Sequence, residues 1–206
     1  QLAQTALERG LADRAEEFAA RAMRARPEDS VAALMLRGQA RLLSGKVEAA
    51  VQDLQRVFAE RPSASALVEL ARGEWSSGRQ NEAIDRLERW VTAHPTDAGV
   101  SEALGDAYAA KRDAGRSAEH YAAAVAQGRQ TPALLNKLAW QYLLRGDERA
   151  EQTAEQAYAK APDNPYVLDT YGWMLVQTKR IDAGLPHLRR AADLVPNNAT
   201  VRFHLA

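Results

Sequence analysis

The chain has 206 residues, 46% of them apolar, 6% aromatic and 26% charged, with 27 basic and 27 acidic side chains and no cysteine. Zero net charge, with both signs spread along the chain, argues against nucleic acid or an anionic membrane surface as the main partner, because both require a basic excess. The lack of cysteine excludes disulfides, zinc–cysteine sites and thiol nucleophiles, and no apolar run is long enough to span a bilayer.

Prolines set the organisation. Pro27, Pro62, Pro95, Pro162 and Pro196 fall at intervals of 35, 33, 67 and 34 residues, the double interval skipping a beat at Arg129. Each follows an Ala-rich amphipathic run and precedes another. A fixed period near this size is the mark of a stacked helical-repeat array. It predicts an all-α fold: a right-handed superhelix of about six helix–turn–helix repeats, with no strand.

The units are taken in order. Residues 1–27 hold the tail of one first helix and a complete second helix through Ala15, Ala19 and Ala22. Residues 28–62 carry Leu34 and Gly38, a turn at Ser44-Gly45, then Ala50 and Leu54. Residues 63–95 carry Leu70-Ala71, the turn Ser77-Gly78, then Ala83 and Leu87. Residues 96–129 carry Leu104-Gly105 and Tyr108, then Tyr121 and Ala124. Residues 130–162 carry Leu138-Ala139 and Tyr142, a shorter turn at Gly146-Asp147, then Ala150 and Ala157. Residues 163–196 carry Leu168 and Gly172, a turn at Thr178-Lys179, then Gly184 and Leu188; residues 197–206 begin a further first helix. The whole of 1–206 reads as one array cut from a longer protein, which would put any targeting signal out of view.

Apolar residues at helical spacing bury one stripe of each helix, and small residues recur where two helices must approach closely. Three positions depart from the pattern. Val57 and Trp90 fill slots expected to be small, and Pro186 lies inside a second helix, predicting a late start or a kink near residue 184.

Motifs for chemistry are missing. His94, His120, His187 and His204 fall in four different units without His-x-x-x-His or His–Glu spacing, so each reads as a surface or groove residue, and neither metal nor cofactor is expected. No glycine-rich phosphate loop occurs, and carboxylate pairs such as Glu16-Glu17 read as solvated helix faces. The chain is not expected to be an enzyme.

The Leu-Gly and Leu-Ala pairs, the small second-helix residues Ala50, Ala83 and Ala150, and the closing prolines together resemble the tetratricopeptide repeat. The resemblance implies a concave groove walled by the first helices. By its spacing, the inner wall comprises Met35, Gln39, Leu42, Val68, Arg72 and Trp75, then Glu102, Asp106 and Ala109. It continues through Asn136, Lys137, Trp140, Leu143, Tyr166, Asp169, Trp173 and Val176 to Phe203. Three of the four tryptophans fall on it, either as binding anchors or as filler between repeats. Clamps of this family that grip an acidic chaperone tail carry Lys and Asn at inward positions. Here those places hold Met35, Gln39, Val68, Arg72, Glu102 and Asp106, so tail capture is not expected.

The run Leu138-Ala139-Trp140, Ala157-Tyr158, Ala161 to Pro165, Leu168 to Trp173 and Val201 to Ala206 is similar to the end of bacterial envelope lipoproteins of exosortase-linked (PEP-CTERM) exopolysaccharide systems. That similarity implies a periplasmic, outer-membrane-associated scaffold, with a cytoplasmic location as the alternative. It implies a protein or peptide partner in an exopolysaccharide assembly. An adaptor presenting substrates to an envelope protease or hydrolase, and a groove that binds polysaccharide directly, stay open beside it.

Overall fold

The computed structural model describes residues 2–25 and 30–206, so the beat at Pro27 lies outside the described residues. Among them are thirteen α-helices and no strand. The first pairs are α1 (Leu2–Glu8) with α2 (Ala12–Ala25), α3 (Ser30–Leu43) with α4 (Val47–Glu60), and α5 (Ala64–Ser76) with α6 (Gln80–Ala93). There follow α7 (Ala98–Ala110) with α8 (Ala114–Ala126), α9 (Pro132–Leu144) with α10 (Arg149–Lys160), α11 (Pro165–Gln177) with α12 (Ile181–Leu194), and α13 (Ala199–Leu205). The chain divides into two compact units, Gln1–Ala103 and Leu104–Ala206, the division falling inside α7. In unit one α1 touches α3, and α3 touches α5; in unit two α9 touches α11, and α11 touches α13.

Helix ends follow from local chemistry. Ser63, Thr131, Asn164 and Asn198 sit in extended backbone and accept from the free N–H groups of the next turn, with Pro132 and Pro165 in first-turn positions that need no N–H. Helices α4, α6, α10 and α12 each stop two residues before a proline. Where that proline is missing, Gly128 turns the chain at φ +93° and Arg129 N–H bonds back to the Ala124 carbonyl, 3.1 Å.

All six turns within pairs are built alike. Gly10, Gly45, Gly78, Arg112, Gly146 and Lys179 hold positive φ, from +59° to +81°. The next N–H then reaches back five residues, to the carbonyls of Ala6, Arg41, Glu74, Tyr108, Tyr142 and Leu175. This is the left-handed C-terminal cap that glycine favours because it lacks a Cβ. Arg112 and Lys179 adopt it without that freedom.

Helix crossings close on small residues. A Cβ on Gly38 would stand 2.8 Å from Leu54, and one on Gly105 would stand 2.4 Å from the Tyr121 ring. Gly172 and Gly184 face each other; a Cβ on Gly184 would meet the Gly172 carbonyl at 2.6 Å. Apolar clusters fill the space around these crossings, for example Val51, Leu54 and Leu70 with Met35 and Phe58 against them. Val57 is buried beside Leu34 and Ala66. Trp90 stays half-buried, its indole N–H on Asp97 at 3.1 Å and its ring stacked on His94.

Two expectations are corrected here. The late start expected for α12 does not occur: the helix begins at Ile181 and runs to Leu194 with Pro186 inside it. The ring removes only the bond to the Asp182 carbonyl, and both residues are exposed, so water replaces the lost donor. Glu16 is not a solvated carboxylate: it is half-buried, accepting from Arg41 Nε and Lys46 Nζ, each at 2.8 Å.

In the five pairs from α3–α4 to α11–α12 the two helices are tied by a polar or aromatic contact, and its chemistry changes from pair to pair. Arg37 and Arg41 of α3 grip Asp53 of α4 at 2.7–2.9 Å. In the next pair the signs are exchanged: Glu74 of α5, 0% exposed, takes two bonds from Arg86 of α6. Tyr108 of α7 stacks on His120 of α8, Tyr142 of α9 lies under the Arg149 guanidinium of α10, and Tyr171 of α11 meets His187 of α12 edge-on.

Candidate functional site in the second unit

Odd-numbered helices bring the sequence-nominated residues together most fully in unit two. There Asn136, Trp140, Tyr166 and Asp169 line one concavity of about 350 Å³, together with Lys137 and His204. Tyr166 is 55% exposed and offers a ring to solvent. Trp140 is half-buried. Asp106 stands exposed, accepting from Tyr121 Oη at 2.6 Å and from Lys137 Nζ at 2.8 Å.

Asp169 departs from its expected role as an open groove acid. Only 6% exposed, it accepts from His204 Nδ1 at 2.9 and 3.0 Å, and burial raises its carboxyl above the ordinary aspartate range against the opposing pull of His204. Trp173 stacks on the His204 ring, 4.4 Å between centroids at 18°, and Trp140 tilts toward the same ring at 5.7 Å. Both indoles therefore pack against α13, only Trp140 also lines the recess, and the filler reading has a geometric basis. Phe203 is 72% exposed on the same short helix.

The remaining nominated residues fall in unit one or at its edge. Gln39 and Arg72 line a separate concavity of about 420 Å³ with Gln4, Leu7, Leu42 and Glu69. Met35 packs on two apolar clusters. Trp75 and Glu102 are half-buried outside that lining.

Sequence reasoning took His204 for a surface or groove residue; it does line the recess, but its burial and its pairing were missed. It is 8% exposed, paired, and central to the aromatic group. Its partner lies 35 positions earlier, one repeat period, and only superposition of consecutive first helices would have joined them. His120 and His187 are half-buried, while His94 is exposed; each stacks on or abuts an aromatic ring. Among the described residues no group of His, Cys, Asp and Glu converges as a metal site would require, and no helix is long and apolar enough to cross a membrane.

Paired helices with repeated crossings, joined through one turn geometry and lined by side-chain concavities, define an α-helical repeat scaffold. A tetratricopeptide repeat model matches residues 1–65, 37–98 and 68–133. The chain belongs to the tetratricopeptide repeat family. Solved structures agree in fold. The crystal structure of MamA protein matches with a TM-score of 0.65 at 18% identity, over 81% of this chain and 92% of that one. A thermophilic tetratricopeptide protein of Thermus thermophilus matches with 0.63 at 22% identity, over 85% and 96%. No curated protein sequence matches. The family matched is the repeat family at large, and nothing in these comparisons selects the exopolysaccharide lipoproteins.

Proposed function

We propose that this protein is a non-enzymatic scaffold that holds protein partners against its odd-numbered helices, principally in the unit-two concavity. The observation that carries the reading is the convergence of Trp140, Tyr166, Asn136 and Lys137 on one recess. An aromatic anchor with a few fixed polar groups is the composition that binding recesses share. The setting we propose is a periplasmic, outer-membrane-associated exopolysaccharide assembly, which rests on the residue run from Leu138 to Ala206 alone.

A photo-crosslinking side chain placed at Tyr166 or Arg72, with Gln52 and Glu155 as controls on even-numbered helices, tests the reading in the native cell. The expected result is one discrete protein adduct from the odd-helix positions. Adducts confined to the controls would move the interface to the opposite face, and an adduct to glycan alone would replace the scaffold with a polysaccharide binder. A trapped protease or hydrolase would identify the adaptor role instead of exopolysaccharide assembly.

A further inference from the structure

Unit one carries a second recess, and its lining is aliphatic where that of unit two is aromatic. Three odd-numbered helices wall about 420 Å³, with Leu7 and Glu8 from α1, Leu42 and Leu43 from α3, and Glu69 and Arg72 from α5. Leu7 and Leu42 are half-buried, each resting on an apolar cluster. Leu43 is 62% exposed beside them. No aromatic ring is among the described lining residues, so a sugar finds no face to stack on.

The charges of this recess favour a cation. Glu8 accepts from the Gln4 amide at 3.2 Å and pairs with no cation among the described residues. Glu69 meets Arg72 through one contact of 3.4 Å. Arg41, on the last turn of α3, is committed to Glu16 and Asp53. Two carboxylates thus share one arginine. Leu43 and Ser76 are the last helical residues of α3 and α5 and both line the recess, which sets the negative poles of two helix dipoles there.

Resting on the scaffold reading above, we propose that the unit-one recess binds a peptide segment in which an aliphatic side chain stands next to an arginine or lysine. The aliphatic group covers Leu42 and Leu43 and supplies most of the affinity, because apolar burial is the larger and non-directional contribution. The cation meets Glu8 and the helix ends and supplies the selectivity. An acidic segment would face both carboxylates and both negative poles.

The test titrates the ¹⁵N-labelled chain with the blocked pentapeptides Ala-Leu-Arg-Leu-Ala, Ala-Leu-Glu-Leu-Ala and Ala-Ala-Arg-Ala-Ala. The first should move the backbone amides around Glu8, Leu43 and Arg72 and bind about tenfold more tightly than either of the others. Leu43→Ser should weaken it about tenfold. Glu8→Gln should weaken it about threefold and flatten its salt dependence. Both side chains are exposed, so each variant should keep the parent's circular dichroism. Equal binding of the arginine and glutamate peptides, equal binding of the leucine-free peptide, shifts confined to unit two, no response at all, or a Leu43→Ser variant that binds normally would each overturn the proposal. Amides around Leu43 that move when the chain alone is diluted would make a second copy the occupant and overturn it too. A protein adduct at Tyr166 without a response to the arginine peptide would overturn it and leave the scaffold standing. The expected peptide response beside a glycan adduct at Tyr166 would uphold this site and overturn the unit-two reading.

Discussion

At the scale of single residues, the six identical turns make the clearest experiment. Four use glycine, while Arg112 and Lys179 hold φ +59° and +63° with a Cβ present. The left-handed conformation costs an L-residue about 1–2 kcal/mol, part of which glycine returns as unfolded-state entropy. Arg112→Gly and Lys179→Gly should therefore each raise stability by about 0.5–1 kcal/mol, measured by urea unfolding. The crossing glycines should behave oppositely and in a definite order. A methyl at Gly38 meets the buried Leu54 side chain, its Cγ at 2.8 Å, but one at Gly184 meets the fixed Gly172 carbonyl at 2.6 Å. Gly184→Ala should cost about 1–3 kcal/mol, while Gly38→Ala should cost less, because Leu54 can shift where a carbonyl cannot and helix propensity returns up to about 1 kcal/mol. Equal losses at both would mean that the backbone contact yields as readily as a side chain.

Two buried or half-buried acids respond to pH with opposite signs. Bonds from Lys46 and Arg41 lower the Glu16 carboxyl below its ordinary range. Its contribution is thus present above the unfolded value and is lost as pH falls through the folded one. Burial raises Asp169, so its contribution is full below the unfolded value and is lost as pH rises through the folded one. Urea midpoints followed on either side of the ordinary aspartate value of about 3.9 should flatten in different directions for Glu16→Gln and Asp169→Asn. A common direction would contradict the burial of one of them.

At the scale of elements, much was legible and some was not. The period located the turns because glycine and proline write backbone geometry into sequence. Ser44-Gly45, Ser77-Gly78, Gly146-Asp147 and Thr178-Lys179 all lie at the observed reversals. Asn136, Trp140, Tyr166 and Asp169, nominated from their spacing, meet at one recess, yet its internal bonding was not readable. Asp106–Lys137 and Asp169–His204 span 31 and 35 residues, and helix spacing says nothing about which long side chains meet between helices. Pro186 did not delay the start of α12, because its cost depends on exposure of the abandoned carbonyl, which no local pattern records. Short α13 gives the element-scale prediction. It buries only Val201 and His204, and its first turn hangs on Asn198 bonds to Thr200 and Val201. Asn198→Ala should cost about 1 kcal/mol, and hydrogen exchange in residues 199–205 should accelerate while α9 stays protected. Uniform acceleration across unit two would mean that α13 melts only with the whole.

At the scale of the molecule, a chain of near-equivalent helix pairs faces a particular hazard, because each pair must find its own partner among copies. Repeat proteins fail by misassembly between such copies. The exchange of signs between α3–α4 and α5–α6 makes the wrong choice repulsive. Were α3 to close on α6, Arg37 and Arg41 would confront Arg86; were α5 to close on α4 in that way, buried Glu74 would confront Asp53. Like charges out of water are far more costly than a poorly packed leucine. The polarity of these ties thus works as an address that distinguishes the copies, independent of what each tie adds to the finished fold. Combining Glu74→Arg with Arg86→Asp erases the address while keeping an ion pair at the crossing. Refolding from urea should then yield more slowly exchanging misfolded or domain-swapped species, resolved by size-exclusion chromatography, with the monomer that does form melting near the parent.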